Sequence, residues 1–315
     1  GIAIDASTVT VSGSFILTTV VYVADTLRNV VYTQTDRLPY AENMQYILAG
    51  ALNVSGTVSG TSWLSARFNQ PKGVIFNGGR TSSIGTMVAD SENHTLRTGT
   101  YLDRTTSDFA HYAGKPGESG HVDGLLSSGL VRLNRPGYII QGGSNRVFFT
   151  DEIHSTVRML TVDGANSRVE TIAGVPGARG LRDGSGANAL FDEPTDLVWI
   201  ASGAGAGTTG TLFVADTGNG VLRGITITAN GGNTQATVGT VPLVNGTVSG
   251  TTSGTGSGTN SGIGGGNNSG GNNGGGNNVG NNNASDGGGG GAPSLWFAAA
   301  LFVLPAIRHL LRRLP

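Results

Sequence analysis

Short runs of apolar residues, rich in Val, Ile, Tyr and Phe and separated by Gly, Asn, Asp and Pro, recur along residues 1–243. Runs of this length and composition are typical of β-strands. In the first part of the chain they fall at 1–5, 20–25, 30–34 and 44–49, and each later part supplies about four more. The pattern predicts an all-β fold for this region.

The pattern changes after residue 243. Residues 244–291 are almost entirely Gly, Asn, Ser and Thr. Such a segment has little apolar surface to bury, so we expect a flexible linker. Residues 292–315 then carry an apolar run and a basic end, which predicts one C-terminal hydrophobic helix.

Three landmarks repeat within residues 1–243. The first is an aspartate that follows an apolar run, with spacings of 65, 61 and 65 residues, at Asp25, Asp90, Asp151 and Asp216. The others are an apolar residue before Ala-Gly, at 48–50, 112–114 and 172–174, and an apolar residue three before a proline, at Phe68, Leu133 and Phe191. The shared period predicts four units, at 1–50, 51–114, 115–174 and 175–243.

The sequences around two of these aspartates share one motif. Residues 89–97 read Ala-Asp-Ser-Glu-Asn-His-Thr-Leu-Arg, and residues 215–223 read Ala-Asp-Thr-Gly-Asn-Gly-Val-Leu-Arg. This motif resembles the core of the NHL repeat. The resemblance implies a β-propeller of four-stranded antiparallel blades, which bury their faces against neighbouring blades. The first unit departs from the family pattern at Arg28, where Asn is usual, and the third reads Asp-Glu-Ile-His at 151–154.

The number of units differs from the family's usual number. Propellers of the NHL type commonly close with about six blades, whereas four are visible here. The chain also begins at a first strand with no linking proline before it. We therefore expect a truncated six-bladed propeller.

The residues that recur with the motif are expected to hold the repeat together. A carboxylate at the end of a strand accepts hydrogen bonds from the backbone of the following turn. We assign this role, in preference to metal binding or acid-base catalysis, to Asp25, Asp90, Asp151 and Asp216. Pairing or hydrogen bonding between strands is expected for Asn93, Asn219, Arg97, Arg158 and Arg223.

Two histidines lie outside the repeated motif. His111 and His121 flank an Ala-Gly step and lie near Glu118 and Asp123. These residue types can bind a metal, but solvated loop histidines are commoner. The chain has no cysteine, which excludes thiolate ligands and cysteine nucleophiles. We expect no metal and no cofactor.

The first strand of each propeller blade lines the central channel. Counting six residues from each linking proline, and matching the first unit by its Gly-Ile start, places Asp5, Asn77, Gly142 and Ile200 there. Two of the four are polar and none is histidine, so we predict no catalytic residue. Asp5 and Asn77 are the candidate binding residues.

The C-terminal segment has three parts. A short motif precedes an apolar run that includes Trp296, and the run ends at Arg308, Arg312 and Arg313. This arrangement resembles the sorting signals of the PEP-CTERM and GlyGly-CTERM kind of Gram-negative bacteria. The resemblance implies a membrane processing enzyme as a partner. Since positive charge favours the cytoplasmic side, we expect an exported protein at the cell envelope or surface that is at least transiently anchored to the membrane.

The net charge of residues 1–243 bears on which functions are compatible with the sequence. Residues 1–243 carry 16 basic and 19 acidic side chains, a net charge of −3, which does not favour nucleic-acid binding. The leading hypothesis is a binding module for a protein, peptide or glycan. The alternative is a propeller enzyme of the lyase or lactonase type, with a channel site completed by missing blades.

Overall fold

A computed structural model describes residues 2–11, 14–37, 44–60, 62–75, 86–99, 109–143, 145–202, 209–230 and 233–242. These residues belong to one compact unit, Gly1–Thr247. Their strands form four antiparallel sheets that follow one another along the chain. The predicted all-β, antiparallel architecture is confirmed.

The first two sheets contain four strands each, in sequential order. Sheet 1 is formed by β1 (Ile2–Val11), β2 (Ser14–Asp25), β3 (Val30–Arg37) and β4 (Met44–Gly50). Sheet 2 is formed by β5 (Pro71–Ile75), β6 (Thr86–Asp90), β7 (Thr95–Gly99) and β8 (Phe109–Gly114). Strands β1 and β2 pair from Ile2 with Val23 to Val11 with Ser14. Both strands are therefore longer than the sequence predicted.

The last two sheets each gain a two-residue outer strand. Sheet 3 contains β9 (Gly124–Leu125), β10 (Pro136–Gln141), β11 (Arg146–Asp151), β12 (Thr156–Thr161) and β13 (Arg168–Ala173), in the order β10-β11-β12-β13-β9. Sheet 4 contains β14 (Gly184–Ser185), β15 (Pro194–Ala201), β16 (Gly210–Asp216), β17 (Val221–Asn230) and β18 (Asn233–Thr240), in the order β15-β16-β17-β18-β14. The short strands were not predicted, because two residues carry no hydrophobic period.

The helices in the described residues are all single 3₁₀ turns. They lie at Trp63–Ser65, Ser91–Asn93, Leu126–Ser128, Gly164–Asn166, Gly186–Asn188 and Thr217–Asn219. Within the part of the chain that the structure describes, no helix has the length and apolar character needed to cross a membrane. The predicted linker and C-terminal helix, 244–291 and 292–315, lie outside the described residues.

The hydrophobic core is divided into three layers, one between each pair of successive sheets. Successive residues of a strand point to opposite faces, and the strands of the middle sheets use both faces. In β6, Val88 packs toward sheet 1, whereas Met87 and Ala89 pack toward sheet 3. In β11, Phe149 packs toward sheet 2 and Phe148 toward sheet 4. Each middle sheet therefore depends on its neighbours for burial.

The segments that link the sheets contribute large side chains to these layers. Phe68, Leu133 and Phe191, each three residues before a linking proline, are fully buried. Trp63 is also fully buried and packs edge-on against Phe109, with ring centroids 5.5 Å apart. The linking segments are therefore part of the core.

The first strands of the sheets lie next to one another at a shared hub. Strand β5 contacts β1 and β10, and β10 in turn contacts β15. The approach of β5 to β10 is close, since a Cβ atom at Gly73 would lie 2.8 Å from the carbonyl oxygen of Gly137. In the part of the chain that the structure describes, sheets 1 and 4 make no contact of this extent, and the sheets do not close into a ring.

Candidate functional site

A buried aspartate-arginine pair lies at the same place in sheets 2 and 4. In sheet 4, Asp216 ends β16 and accepts hydrogen bonds from the backbone N–H of Asp192 at 2.7 Å, Asn219 Nδ2 at 2.9 Å and Arg223 Nη1 at 2.8 Å. The Arg223 guanidinium also donates to the carbonyl oxygens of Leu190 and Arg182, both from the linking segment. The pair therefore holds the incoming chain against the sheet.

Sheet 2 repeats this arrangement with Asp90 and Arg97. Asp90 accepts from the backbone N–H of Asn69 and from Asn93 Nδ2, and Arg97 Nη1 lies 3.3 Å from its Oδ2. Arg97 lies over the Phe68 ring, 4.8 Å from its centroid. Burial outweighs the hydrogen bonds and the positive charge of Arg97, and it raises the pKa of Asp90 to about 6.

Sheets 1 and 3 depart from this pattern. Asp25 pairs with Arg28, whose side chain is 55% exposed. In sheet 3, Arg158 bonds Asp151 as expected, but His154 replaces the asparagine. The predicted structural residues therefore all lie at repeated positions, with different partners in two sheets.

A second set of hydrogen bonds connects each sheet to the next. The backbone N–H of the residue before each linking proline bonds a side chain in the β-turn of the preceding sheet. The pairs are Gln70 with Asn29 Oδ1, Arg135 with His94 Nδ1, and Glu193 with Ser155 Oγ. All six residues have positive φ, a conformation uncommon outside glycine. Backbone strain is thus repeated at every connection between described sheets.

These connections border a pocket at one end of the hub. It has a volume of about 330 Å³, at the small end of the range for ligand pockets. All four sheets or their linking segments contribute to it, through Thr26, Lys72, Arg135, Tyr138, Glu152, Ile153, Arg179, Glu193, Pro194 and Thr195. Such convergence on one cavity makes it the candidate binding site.

The basic side chains of the pocket are matched by carboxylates. Tyr138 lies between acidic groups, and burial, together with the negative charges of Asp196 and Glu152, raises the pKa of its phenol. Lys72 pairs with Glu152, and Arg135 Nε pairs with Glu92 at 2.8 Å. Arg179 Nη1 pairs with both Glu193 at 2.8 Å and Asp192 at 3.0 Å. The pocket therefore offers donors and acceptors side by side without a strong net charge.

The sequence did not predict this lining. Asp5 pairs through its backbone with Val20 in sheet 1, and nothing further is described of its side chain. Asn77 lies outside the described residues. Of the other two predicted channel positions, Gly142 packs against the Phe148 ring and Ile200 is 42% exposed.

A sequence signal for the lining does exist. Lys72 and Thr195 directly follow linking prolines, and Thr26 and Glu152 directly follow repeated aspartates. These pocket-lining positions are thus adjacent to the linking prolines and repeated aspartates, whereas the sequence analysis looked six residues after each proline. The predicted anchor residues, Trp296, Arg308, Arg312 and Arg313, lie outside the described residues.

The two unexplained histidines have different surroundings. His111 bonds Thr95 Oγ1 at 3.2 Å and the carbonyl oxygen of Thr57 at 2.8 Å. His121 instead packs against His154, with ring centroids 4.9 Å apart. Sequence reasoning paired His111 with His121, because proximity along the chain was the only guide available.

Comparison with known proteins gives partial likenesses. No protein-family model matches the chain. It is 27% identical over 173 residues to the protein SUPPRESSOR OF QUENCHING 1, chloroplastic, of Arabidopsis thaliana, which covers 53% of this chain and 15% of the plant protein.

Solved structures with a similar shape include two auxiliary nutrient binding proteins. The one from Bacteroides thetaiotaomicron VPI-5482 has a TM-score of 0.43 and 17% identity, covering 70% of this chain and 45% of that one. The one from Bacteroides ovatus ATCC 8483 has a TM-score of 0.45 and 11% identity, covering 76% and 46%. This chain spans less than half the length of either structure. Neither likeness identifies a ligand or a reaction for it.

Proposed function

We propose that residues 1–243 form part of an NHL-type β-propeller that acts as a binding module, with the pocket at the hub as its ligand site. The repeated antiparallel sheets of four or five strands, the core layers between them and the neighbouring first strands support the propeller. The observation that carries the binding function is the convergence of all four sheets on one polar pocket. A concave site on which polar side chains converge is a common form of small-ligand site.

The ion pairs of the pocket favour an uncharged, hydroxyl-rich ligand. A strongly charged ligand would have to separate Lys72 from Glu152 or Arg179 from Glu193, leaving one partner of a pair unmatched. Sugar hydroxyls both donate and accept, so they can bond the two members of a pair without breaking it. Tyr138 adds an aromatic surface to the lining. Within the proposed binding function, we therefore favour a glycan over a peptide or protein.

The location of the module is proposed from the sequence. The apolar run and the arginines at 292–315 are typical of a membrane anchor or sorting signal, and the Gly- and Asn-rich segment before them is long enough to act as a tether. We propose display at the envelope or surface of a Gram-negative bacterium.

The binding proposal predicts loss of ligand affinity when the pocket pair is neutralised. The full chain should first be tested on glycan and peptide arrays, and hits measured by isothermal titration calorimetry. The double variant Lys72→Met/Glu152→Gln keeps the side-chain sizes and removes both charges. We expect at least a ~10-fold weaker affinity, since each lost hydrogen bond to a charged group is worth about 1.5–3 kcal/mol.

The matched control is Lys115→Met/Glu118→Gln, which neutralises an exposed lysine-glutamate pair away from the pocket and also removes the ion pair of Glu118 with Arg132. Its affinity should equal that of the wild type. Binding of peptides alone through the pocket would correct the ligand class. Binding that is insensitive to the pocket variant, or no binding on either array, would overturn the proposed function.

A further inference from the structure

Sheet 3 contains two histidines at positions where the equivalent sheets have none. His154 lies three residues after its aspartate, in the position of Asn93 and Asn219. His121 lies one residue before Val122, whose carbonyl oxygen accepts from Arg158. Val58 and Arg182 accept in the same way from Arg97 and Arg223. By this equivalence, His121 occupies the position of Thr57 in sheet 2 and of Leu181 in sheet 4.

The two histidines and Asp151 form a compact cluster. The ligand atoms that the three residues offer all lie within 4.8 Å of one another. His154 Nδ1 is 3.0 Å from Asp151 Oδ1, and His121 Nδ1 is 3.7 Å from Oδ2. The side chains are 21%, 11% and 0% exposed for His154, His121 and Asp151. The cluster is thus largely shielded but reachable past His154.

Hydrogen bonds on the far side of His121 fix its tautomer. Thr171 Oγ1 donates to Asp123 Oδ1 at 3.2 Å, because a carboxylate can only accept. The same hydroxyl oxygen is 2.9 Å from His121 Nε2, so it accepts the Nε2 proton. A neutral His121 therefore presents the bare lone pair of Nδ1 to the cluster.

This lone pair is buried, and within the described residues it has no hydrogen-bond partner. Its nearest neighbour in the cluster is the Asp151 carboxylate, which is also an acceptor. Burying an unpaired nitrogen against a carboxylate is unfavourable. A cation between the two groups removes the conflict.

Asp151 has one oxygen available for such a cation. Its Oδ2 accepts from both Arg158 Nη1 and the backbone N–H of Asn134, which leaves Oδ1 facing His154. In Asp90 and Asp216 the backbone N–H bonds Oδ1, the oxygen that faces His154 in Asp151. Neither of these aspartates therefore has an oxygen whose only contact is a single side chain. The Arg158 guanidinium and the backbone N–H of Asn134 both donate to the Asp151 side chain, which favours its carboxylate form.

We propose that His121, Asp151 and His154 bind a divalent transition-metal ion of the Zn²⁺ class, with water as the fourth ligand. With metal–ligand distances of about 2.1 Å, the edges of a tetrahedral site are about 3.4 Å long. The separation of 3.0 Å between His154 Nδ1 and Asp151 Oδ1 is close to this value, and the ligand atom of His121 lies within 4.8 Å of the other two. Two imidazoles and a carboxylate suit zinc better than calcium or magnesium, which prefer oxygen ligands.

The bound ion would connect two separate parts of sheet 3. His121 belongs to the segment that links sheets 2 and 3, whereas Asp151 and His154 lie at the turn between β11 and β12. Asparagine makes this link by hydrogen bonds in the other sheets, where Asn93 and Asn219 each donate to a linker carbonyl oxygen. None of the three proposed ligands lines the pocket at the hub, but Asp151 and His154 flank two residues that do, Glu152 and Ile153. The proposal departs from the expectation, made from sequence, that no metal binds.

The test uses the repeat itself as a template. The double variant His121→Thr/His154→Asn gives sheet 3 the residues that sheet 2 has at these positions, so it should fold. After dialysis against a chelator, the full-length wild type should bind one equivalent of Zn²⁺ by titration calorimetry and show a higher Tm with the metal. The double variant should bind at least ~100-fold more weakly, since it lacks two ligands. His111→Gln, at the other unexplained histidine, should bind as the wild type does.

The coordination geometry can be determined from the visible absorption of the protein loaded with Co²⁺. Co²⁺ at the wild-type site should give the intense visible absorption of a tetrahedral complex. Failure of the wild type to bind stoichiometrically, or unchanged affinity in the double variant, overturns the proposal. One further outcome would overturn the proposal. If zinc does not stabilise the wild type, but the wild type is more stable than the double variant below about pH 6.5, the cluster binds a proton and not a metal ion.

A variant at Thr171, which bonds His121 but not the metal, tests whether the orientation of His121 matters for zinc binding. Thr171→Val removes the acceptor that orients His121 and should weaken zinc binding about 10- to 100-fold. Thr171→Ser keeps the hydroxyl and should restore it. Equal zinc affinity in the two variants would contradict the proposed orientation of His121.

Discussion

The residue that best marks this repeat is a buried arginine. Arg97, Arg158 and Arg223 are fully buried and each faces a fully buried aspartate. Removing ions from water is costly, and the cost is offset only when all their hydrogen-bonding groups are used. Here Nη1 and Nη2 of each guanidinium bond the aspartate and linker carbonyl oxygens, whereas Nε of each is buried with no hydrogen-bond partner among the described residues. Each pair is therefore a fixed point between the linking segment and the sheet.

We predict that removing one member of such a pair is far more destabilising than removing its exposed counterpart. Arg223→Met leaves Asp216 as an unmatched buried charge and should lower the free energy of unfolding by about 3–5 kcal/mol. Arg28→Met, at the exposed pair of sheet 1, should cost less than about 1 kcal/mol. Urea denaturation followed by circular dichroism measures both. Similar losses in the two variants would mean that burial does not determine the strength of the pair.

At the scale of the elements, the approach of β5 to β10 determines how two sheets share the hub. Gly73 faces the backbone of β10, and an added Cβ would lie 2.8 Å from both Gly137 O and Ile139 N. Gly137 in turn leaves space for Glu152, whose Oε1 would lie 2.6 Å from a Cβ there. The glycines let the first strands pack closely and keep the pocket open.

The prediction at this scale is that Gly73→Ala forces the two first strands apart. Because the overlap is with backbone atoms, the loss of stability should be about 1–3 kcal/mol. Gly239→Ala in β18 is the matched control, since no atom lies within 4 Å of its added Cβ. That substitution should change stability by less than about 0.5 kcal/mol. Thermal unfolding of both variants decides the matter, and an unaffected Gly73→Ala protein would contradict the close approach.

For the whole molecule, stability follows from the contacts between successive sheets. Each core layer combines side chains from two neighbouring sheets and the segment that links them. In a fold of this kind, each unit contacts only its neighbours. A segment that contributes to none of these layers is not needed for folding.

We predict that deletion of residues 287–315 leaves residues 1–243 folded and, if the proposed anchoring holds, releases them from the membrane. The segment lies beyond the unit Gly1–Thr247, and we have proposed from its apolar run and arginines that it is a membrane anchor. The variant should be expressed in the native host and the culture fractionated. Folded protein in the periplasm or medium is the expected result. Retention in the envelope, or a loss of folding, would show that the segment has another role.

The sequence by itself determined the repeat. The spacing of Asp25, Asp90, Asp151 and Asp216 and the short apolar runs predicted successive antiparallel sheets, because strand period and turn chemistry are local properties of the chain. The buried linker residues, such as Phe68, were also marked by their distance from proline. The local sequence pattern was sufficient to predict those residues that pack in the same way in every repeat.

The tertiary structure alone decided which residues meet between repeats. Lys72 and Glu152 are 80 residues apart and belong to different sheets, and His121 and His154 come from a linker and a turn. The strand period and the repeat spacing do not indicate such pairs, because they depend on how the sheets pack at the hub and on how a linking segment crosses its sheet. The polar pocket and the histidine cluster arise where single repeats depart from the shared pattern, and only packing brings those departures together.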